Sequence, residues 1–229
     1  MRSKVVADVA DALSGVADGS TVLIGGFGLA GHPVQLIDGL LEQGARDLTI
    51  VSNNAGNGDT GLAALLSAGR VSKVVCSFPR QVDSYVFDGL YRSGRVQLEL
   101  VPQGNLAERI RAGGAGLGGF FTPTGFGTPL ADGKETRQID GSWYVFETPI
   151  RGDVALIGGY LGDPLGNIVY RKTSRNFNPV MAAAAELSIV QVDRVVGVGD
   201  LDPEVVVTPG IYVDRVVAVG DRAWLRERA

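Results

Sequence analysis

Cysteine is almost missing from this chain of 229 residues: Cys76 stands alone, and His32 is the single histidine. One thiol cannot close an internal disulfide, which excludes a disulfide-stapled scaffold and fits a reducing cytoplasm. No apolar run reaches the ~18 residues that a membrane span needs. The stretch Met1–Gly19 has Asp8 and Asp11 inside its apolar part, so it does not read as a secretory segment. Charge of one sign is also lacking, because 21 Lys and Arg face 25 Asp and Glu for a net charge of −4. With the signs interspersed there is no basic face, and the expectation is no nucleic-acid partner and no membrane. Hydrophobic residues make up 45% and mean hydropathy is +0.16, the composition of a well-packed globular protein.

Glycine is abundant instead. There are 33, far above the usual ~7%. They follow no period, which excludes collagen, and they cluster after apolar runs, as tight strand-to-helix turns require. Apolar residues Val5, Val9, Ala12, Leu13 and Val16 predict a first helix. Strands are predicted at Thr21–Ile24, Leu48–Val51, Lys73–Ser77 and Gln97–Val101. Helices alternate with them over Val34–Gln43, Leu62–Ser67, Asp83–Tyr91 and Leu106–Ala112. Such alternation predicts an α/β domain over residues 1–229, mainly a parallel sheet with helices on both faces.

After Gly113 the stretch "GGAGLGGFFTPTGFGTPLADGKE" is too rich in Gly, Pro and Thr for regular structure, and it reads as a functional loop. Strands follow at Trp143–Glu147, Val154–Gly159, Asn167–Tyr170, Leu187–Val192 and Val213–Val219, with a helix at Pro179–Ala185. The C-terminal "DRAWLRERA" reads as a frayed tail. Cys76 is either a nucleophile or a small buried residue at a strand end, and no base can be named for it.

Residues Gly26 to Gly31 spell G-x-G-x-x-G, the dinucleotide fingerprint. The second strand of such a unit should end in an acid about 20 residues on, to hold ribose hydroxyls. Here it ends in Ser52-Asn53-Asn54, and Asp47 lies at the wrong end of the strand. A dehydrogenase would also need a proton-transfer group, whereas His32 sits in the glycine turn itself. What survives is the turn: its glycines let a ligand approach, and the N–H groups at the helix opened by Pro33 can face a phosphate or a carbonyl oxygen.

The wider stretch "DGSTVLIGGFGLAGHP", Asp18 to Pro33, resembles the N-terminal signature of the A chains of the family I coenzyme A transferases. Similar matches are "VSNNAGNGDTGLAALL", "VPQGNLAERIRAGGAG", "FFTPTGFGT", "GNIVYRKTSRNFNPVMA" and "LDPEVVVTPGIYVDRVV". The resemblance implies a CoA-transferase, sugar-isomerase-like fold and transfer of CoA from succinyl-CoA to a 3-oxo acid. It implies that CoA serves as substrate, that no metal or permanent cofactor is needed, and that a glutamate nucleophile works in ping-pong fashion. That glutamate lies in a Ser-Glu-Asn-Gly motif of the companion B subunit. The nearest counterpart here places neutral Asn53 at its position, so no catalytic nucleophile is expected in this chain and an α2β2 heterotetramer with the B subunit is implied.

The backbone of Gly25, Gly26, Phe27, Gly28, Leu29, Ala30 and Gly31 is then expected at the CoA. "KVVCSFPRQVDSYVFDGLYRSG" resembles the 3-oxoadipate branch more than the acetoacetate branch, and Arg80 is the candidate for the second carboxylate of 3-oxoadipate. Its alternative is a solvated or interface charge. Asn53, Asn54 and Gln103, at predicted strand ends, are candidates for hydrogen bonds to substrate, or each stabilises its own loop. Arg171, Lys172 and Arg175 suit CoA phosphates or an inter-chain contact. Glu108 is the best internal carboxylate, although Arg109 and Arg111 beside it suggest an ion pair. Other readings are an acetoacetate enzyme and a non-catalytic CoA-binding module on the same fold.

Overall fold

The computed structural model describes residues 2–220. The predicted tail Asp221–Ala229 lies outside the described residues. A short helix α1 (Val9–Ala12) leads to β1 (Thr21–Ile24), α2 (Val34–Gln43), β2 (Leu48–Val51), α3 (Leu62–Ser67), β3 (Val71–Cys76), α4 (Tyr85–Arg92), β4 (Gln97–Leu100) and α5 (Gln103–Gly114). Strands β5 (Phe120–Thr122), β6 (Thr136–Ile139) and β7 (Ser142–Glu147) come next. The chain then forms β8 (Gly152–Gly158), β9 (Leu161–Gly162), β10 (Ile168–Val169), α6 (Asn178–Ala182), β11 (Ala185–Val192), β12 (Arg194–Val195) and β13 (Arg215–Ala218).

Seven strands build one sheet in the order β13-β11-β8-β1-β2-β3-β4. Every pairing in it is parallel, with Leu23 of β1 registered against Val51 of β2 and Ala155 of β8. Alternate side chains of β1 enter two cores. Val22 and Ile24 pack with Leu36, Leu40, Leu65 and Phe87, whereas Leu23 packs with Leu106, Ile110 and Met181. Helices α2 to α4 thus cover one face and α5 and α6 the other, which is why the central strands read as unbroken apolar runs.

The first four strands step outward on one side of β1, and the later ones build on its other side through β8. The order reverses at the β1/β8 seam. Loops leaving the carboxyl ends of these two strands diverge there and open a crevice.

Several elements depart from the sequence expectations for identifiable reasons. The predicted first helix shrinks to four residues. Asp8 caps it through the Asp11 N–H (2.8 Å) and Val5 is instead bridged to Val216. Helix α5 runs on through Gly113 because that glycine is an approach point: a Cβ there would stand 2.0 Å from the Ile150 carbonyl oxygen. The Gly/Pro-rich segment after it is not irregular throughout. It contains β5 and leads into β6, and the three-stranded antiparallel sheet β5-β7-β6 was not visible in composition. In the small sheet β10-β9-β12 the strand predicted at Asn167–Tyr170 is present as β10, whereas β9 and β12 were missed, since strands of two residues leave no periodicity. Among the described residues, no helix is long and apolar enough to cross a membrane.

Candidate functional site

A cleft of about 670 Å³ lies at the carboxyl ends of β1, β2 and β8, at the reversal point of the sheet. Its walls come from the glycine loop after β1, from Asn54 to Leu62 after β2, from Gly159 and Tyr160 after β8, and from Arg171 to Ser174. Asp193, just beyond β11, is the only acidic residue lining it among the described residues.

The chain itself uses most of the glycine loop. Phe27 and Ala30 exchange backbone hydrogen bonds of 2.9 and 3.0 Å, which closes a tight turn. Gly25 donates to the Leu156 carbonyl at 3.0 Å and Gly26 to Asn176 Oδ1 at 3.1 Å. A Cβ on Gly25 would stand 1.9 Å from Asn178 Oδ1, and one on Gly31 would stand 2.5 Å from the Ser174 carbonyl oxygen. Gly31 also has φ +72°, in the left-handed region that glycine enters without strain. Of the seven loop residues expected at a CoA, Gly28, Leu29, Ala30 and Gly31 line the cleft, and Gly25, Gly26 and Phe27 do not. The helix start is partly occupied as well, because the Leu36 N–H is taken by Gln191 Oε1 at 3.0 Å.

Asn178, fully buried at the start of α6, is the stitch that holds this geometry. Its Oδ1 accepts from the Gly158 N–H (2.9 Å), and its Nδ2 donates to the carbonyls of Gly31 (3.1 Å) and Ser174 (2.8 Å). Asn176 adds a second one, donating to the Ala30 carbonyl at 3.0 Å. Sequence reasoning gave neither residue a role. The signal was present in "SRNFNP", where two asparagines flank Phe177 just before a helix-opening proline, but one sequence cannot show what they reach.

The polar residues after β2 divide. Asn53 is turned inward, its Oδ1 accepting from Ser77 Oγ at 2.8 Å and its carbonyl from the N–H of Phe78 at 3.0 Å. It does not line the cleft, so its loop-stabilising reading is the one the geometry matches. Asn54 lines the cleft and is 3% exposed; its Oδ1 accepts from the Gly56 N–H at 2.9 Å while Nδ2 is buried without a partner. An amide donor in that state is costly unless a ligand meets it. His32 is similar, with Nε2 buried and unpartnered in the cleft wall. Burial pushes its pKa down to about 4, against the opposing effect of a backbone hydrogen bond at Gly28, so the imidazole is neutral at pH 7.

At the rim, Arg171 lies 5.6 Å over the Tyr160 ring, and neither Arg171 nor Lys172 has a salt bridge among the described residues. Arg175 is not in the lining. Arg80 is not in it either: its Nε stands 2.7 Å from Asp88, which also binds Arg92 at 2.8 Å. Gln103 is exposed at the first turn of α5, after β4 and apart from the cleft. Glu108 forms the ion pair suggested for it, 2.6 Å from Arg111, which holds its carboxyl below the ordinary range. Cys76 is fully buried at the end of β3, and burial pushes its thiol up to about 12; it is a packing residue and not a thiolate nucleophile.

The dinucleotide reading fails on geometry too. Ser52, Asn53 and Asn54 are all buried at the end of β2 with no acid among them, and Asp47 precedes the strand. A parallel sheet with a cleft at its reversal point is the arrangement of an α/β protein whose ligand site lies at the carboxyl ends of its strands, here with neutral polar groups on the floor and Arg171 and Lys172 on the rim. The family model for coenzyme A transferase matches residues 6–219, and the chain belongs to that family.

Among its relatives is the A subunit of the 3-oxoadipate CoA-transferase from Pseudomonas putida, 63% identical over 97% of this chain and 96% of that one. The same-named chain of Acinetobacter baylyi is 63% identical over 96% of each. The A subunit of a succinyl-CoA:3-ketoacid coenzyme A transferase from Helicobacter pylori is 45% identical over 93% of this chain and 91% of its own. Glutaconate coenzyme A-transferase of Acidaminococcus fermentans shares the fold, with a TM-score of 0.85 at 23% identity over 95% of this chain and 76% of that one.

Proposed function

We propose that this chain is the A half of a two-chain CoA-transferase that moves CoA from succinyl-CoA to 3-oxoadipate, yielding succinate and 3-oxoadipyl-CoA. The observation that carries the reading is the 63% identity, over nearly the whole of both chains, to proteins named for that reaction. In this reading the B subunit supplies the nucleophilic glutamate, cytoplasmic α2β2 assembly completes the site, and CoA is a substrate and not a resident cofactor. The position equivalent to that glutamate is Asn53, neutral and turned into its own loop.

The work of this chain is then binding and orientation. A carboxylate attacks a thioester poorly, so the reaction draws on binding energy from the distant parts of CoA and on placement of the reacting carbonyl. Gly28 to Gly31, Asn54, Arg171 and Lys172 offer CoA one wall, with the cations at its phosphates. Gln103, just beyond β4, offers its amide to a substrate carbonyl or carboxylate. Arg80 is proposed for the distal carboxylate of 3-oxoadipate, which would exchange for Asp88 on the guanidinium.

The test is reconstitution. The chain alone, and the chain mixed with a B subunit containing Ser-Glu-Asn-Gly, are assayed for succinyl-CoA-dependent formation of 3-oxoadipyl-CoA. Activity in the mixture only is expected. Activity of the chain alone would point to Asp193 and overturn the division of labour; CoA binding with no transfer in any pairing would favour a binding module. Arg80→Ala should reduce turnover of 3-oxoadipate more than that of acetoacetate, and equal loss on both sinks the Arg80 assignment.

A further inference from the structure

Glu147, the last residue of β7, is a carboxylate the proposed chemistry does not use, and it is 2% exposed. Its Oε1 accepts from Lys134 Nζ at 2.8 Å and from Asn105 Nδ2 at 3.2 Å. Its Oε2 has no hydrogen-bond partner, with Arg109 Nε 3.8 Å away. That Nε donates instead to the Thr148 carbonyl at 2.7 Å, one residue along. Arg109 Nη1 reaches Glu99 at 2.9 Å, and Glu99 holds Lys73 at 2.6 Å. Burial raises the Glu99 pKa, but hydrogen bonds and charge from Lys73 and Arg109 outweigh it and hold the carboxyl below its ordinary range.

The network joins four parts of the molecule: β3 and β4 through Lys73 and Glu99, α5 through Asn105 and Arg109, β7 through Glu147, and the segment before β6 through Lys134. Asn105 Nδ2 also lies 3.4 Å from the Thr124 carbonyl, so the first turn of α5 is tied to both ends of the β5-to-β7 excursion. A buried ion pair is weak evidence for stability, because its desolvation cost offsets its attraction and an apolar replacement serves as well.

Resting on the CoA-transfer reading, we propose that Glu147 is a positioning residue: through Asn105 it sets the first turn of α5, and so the place of Gln103 at the carboxyl edge of the sheet. Gln103 is two residues from Asn105 in the same turn, and among the described residues the Asn105 amide makes that turn's only side-chain hydrogen bonds to other elements. Loss of Glu147 lets the turn and the 123–134 segment move apart while both cores stay closed.

The experiment compares Glu147→Ala, Glu147→Gln and the milder Asn105→Ala in the complete two-chain assembly. Glu147→Ala should lower kcat about 10-fold or more with KM for succinyl-CoA within about 3-fold, the pattern of lost orientation and not of lost ground-state binding. Glu147→Gln, which keeps an acceptor for Asn105, should recover much of that loss. On a Gln103→Ala background the Glu147→Ala effect should shrink to under about 3-fold, because coupled residues are not additive. An unchanged kcat in the folded assembly overturns the proposal, as does a loss that multiplies fully with that of Gln103→Ala. If Glu147→Ala does not fold, Asn105→Ala decides by the same criteria.

Amide hydrogen exchange supplies a readout without turnover. Residues 103–107 should exchange faster in Glu147→Ala and in Asn105→Ala while β1 does not, and protection equal to that of the unaltered protein in both variants refutes the positioning role. Failure of the unaltered assembly to transfer CoA would refute the functional reading instead, leaving the exchange result to judge Glu147.

Discussion

Replacing Asn178 by Ala removes one accepted and three donated hydrogen bonds from a fully buried side chain. The Gly158 N–H and the Gly31 and Ser174 carbonyls lose that partner. Each buried polar group left unpaired costs about 1–3 kcal/mol, and the Gly158 N–H and Gly31 carbonyl bonds are buried while the Ser174 carbonyl stands at the cleft wall, so the loss should be roughly 2–6 kcal/mol. For a chain of this size each kcal/mol shifts the thermal midpoint by about 2–4 °C, which makes the effect large in any unfolding assay. Gly25→Ala attacks the same joint from the other side, since its Cβ would overlap Asn178 Oδ1. The two changes should therefore be strongly non-additive in urea unfolding: once the amide is gone, the added methyl has room. Contacting residues typically couple by about 0.5–3 kcal/mol. A loss below about 1 kcal/mol for Asn178→Ala, or simple additivity with Gly25→Ala, would refute the idea that this amide closes the glycine loop.

Two shorter expectations concern ionisation. The His32 pKa is lowered from 6.5 to about 4, so the unfolded chain binds a proton between those values that the folded chain does not. Stability from this group is therefore full above pH 6.5 and falls as pH drops toward 4, by at most about 3 kcal/mol; His32→Asn should flatten the pH dependence of the urea midpoint in that window, and an unchanged slope contradicts the assignment. Cys76, with its thiol raised to about 12 and no exposure, should resist iodoacetamide at about pH 8 in the native chain and react fully in urea, as followed by mass spectrometry. Rapid native alkylation would show that β3 opens locally.

Most of the main sheet was legible because its strands are buried on both faces and its helices on one, and each condition writes a pattern into neighbouring residues. Thr21–Ile24, Val34–Gln43, Leu48–Val51 and Leu62–Ser67 were all placed to the residue. In the antiparallel sheet β5-β7-β6 only β7 was foreseen, as the strand at Trp143–Glu147; β6 is exposed throughout and β5 half-buried throughout, leaving no alternation to read. Glycine misled in both directions. Gly113 looked like a helix stop and is a contact point inside α5, while Gly25 looked like a ligand-facing position and is a space filled by Asn178; Gly31 lines the cleft and also packs against the Ser174 carbonyl.

Local order along the chain therefore sufficed for the class of fold, for the absence of the dinucleotide acid after β2, and for the family resemblance, since all three depend on residues adjacent in sequence. The composition of the cleft did not follow from it. Asn176 and Asn178 reach back nearly 150 positions to the glycine loop, Gln191 caps a helix that begins at Val34, and Glu147 meets Asn105 and Lys134 across three elements. Side-chain hydrogen bonds of that span arise only when the sheet order brings β8 beside β1 and β11 beside β8, and a sequence shows which partners are available but not which ones meet.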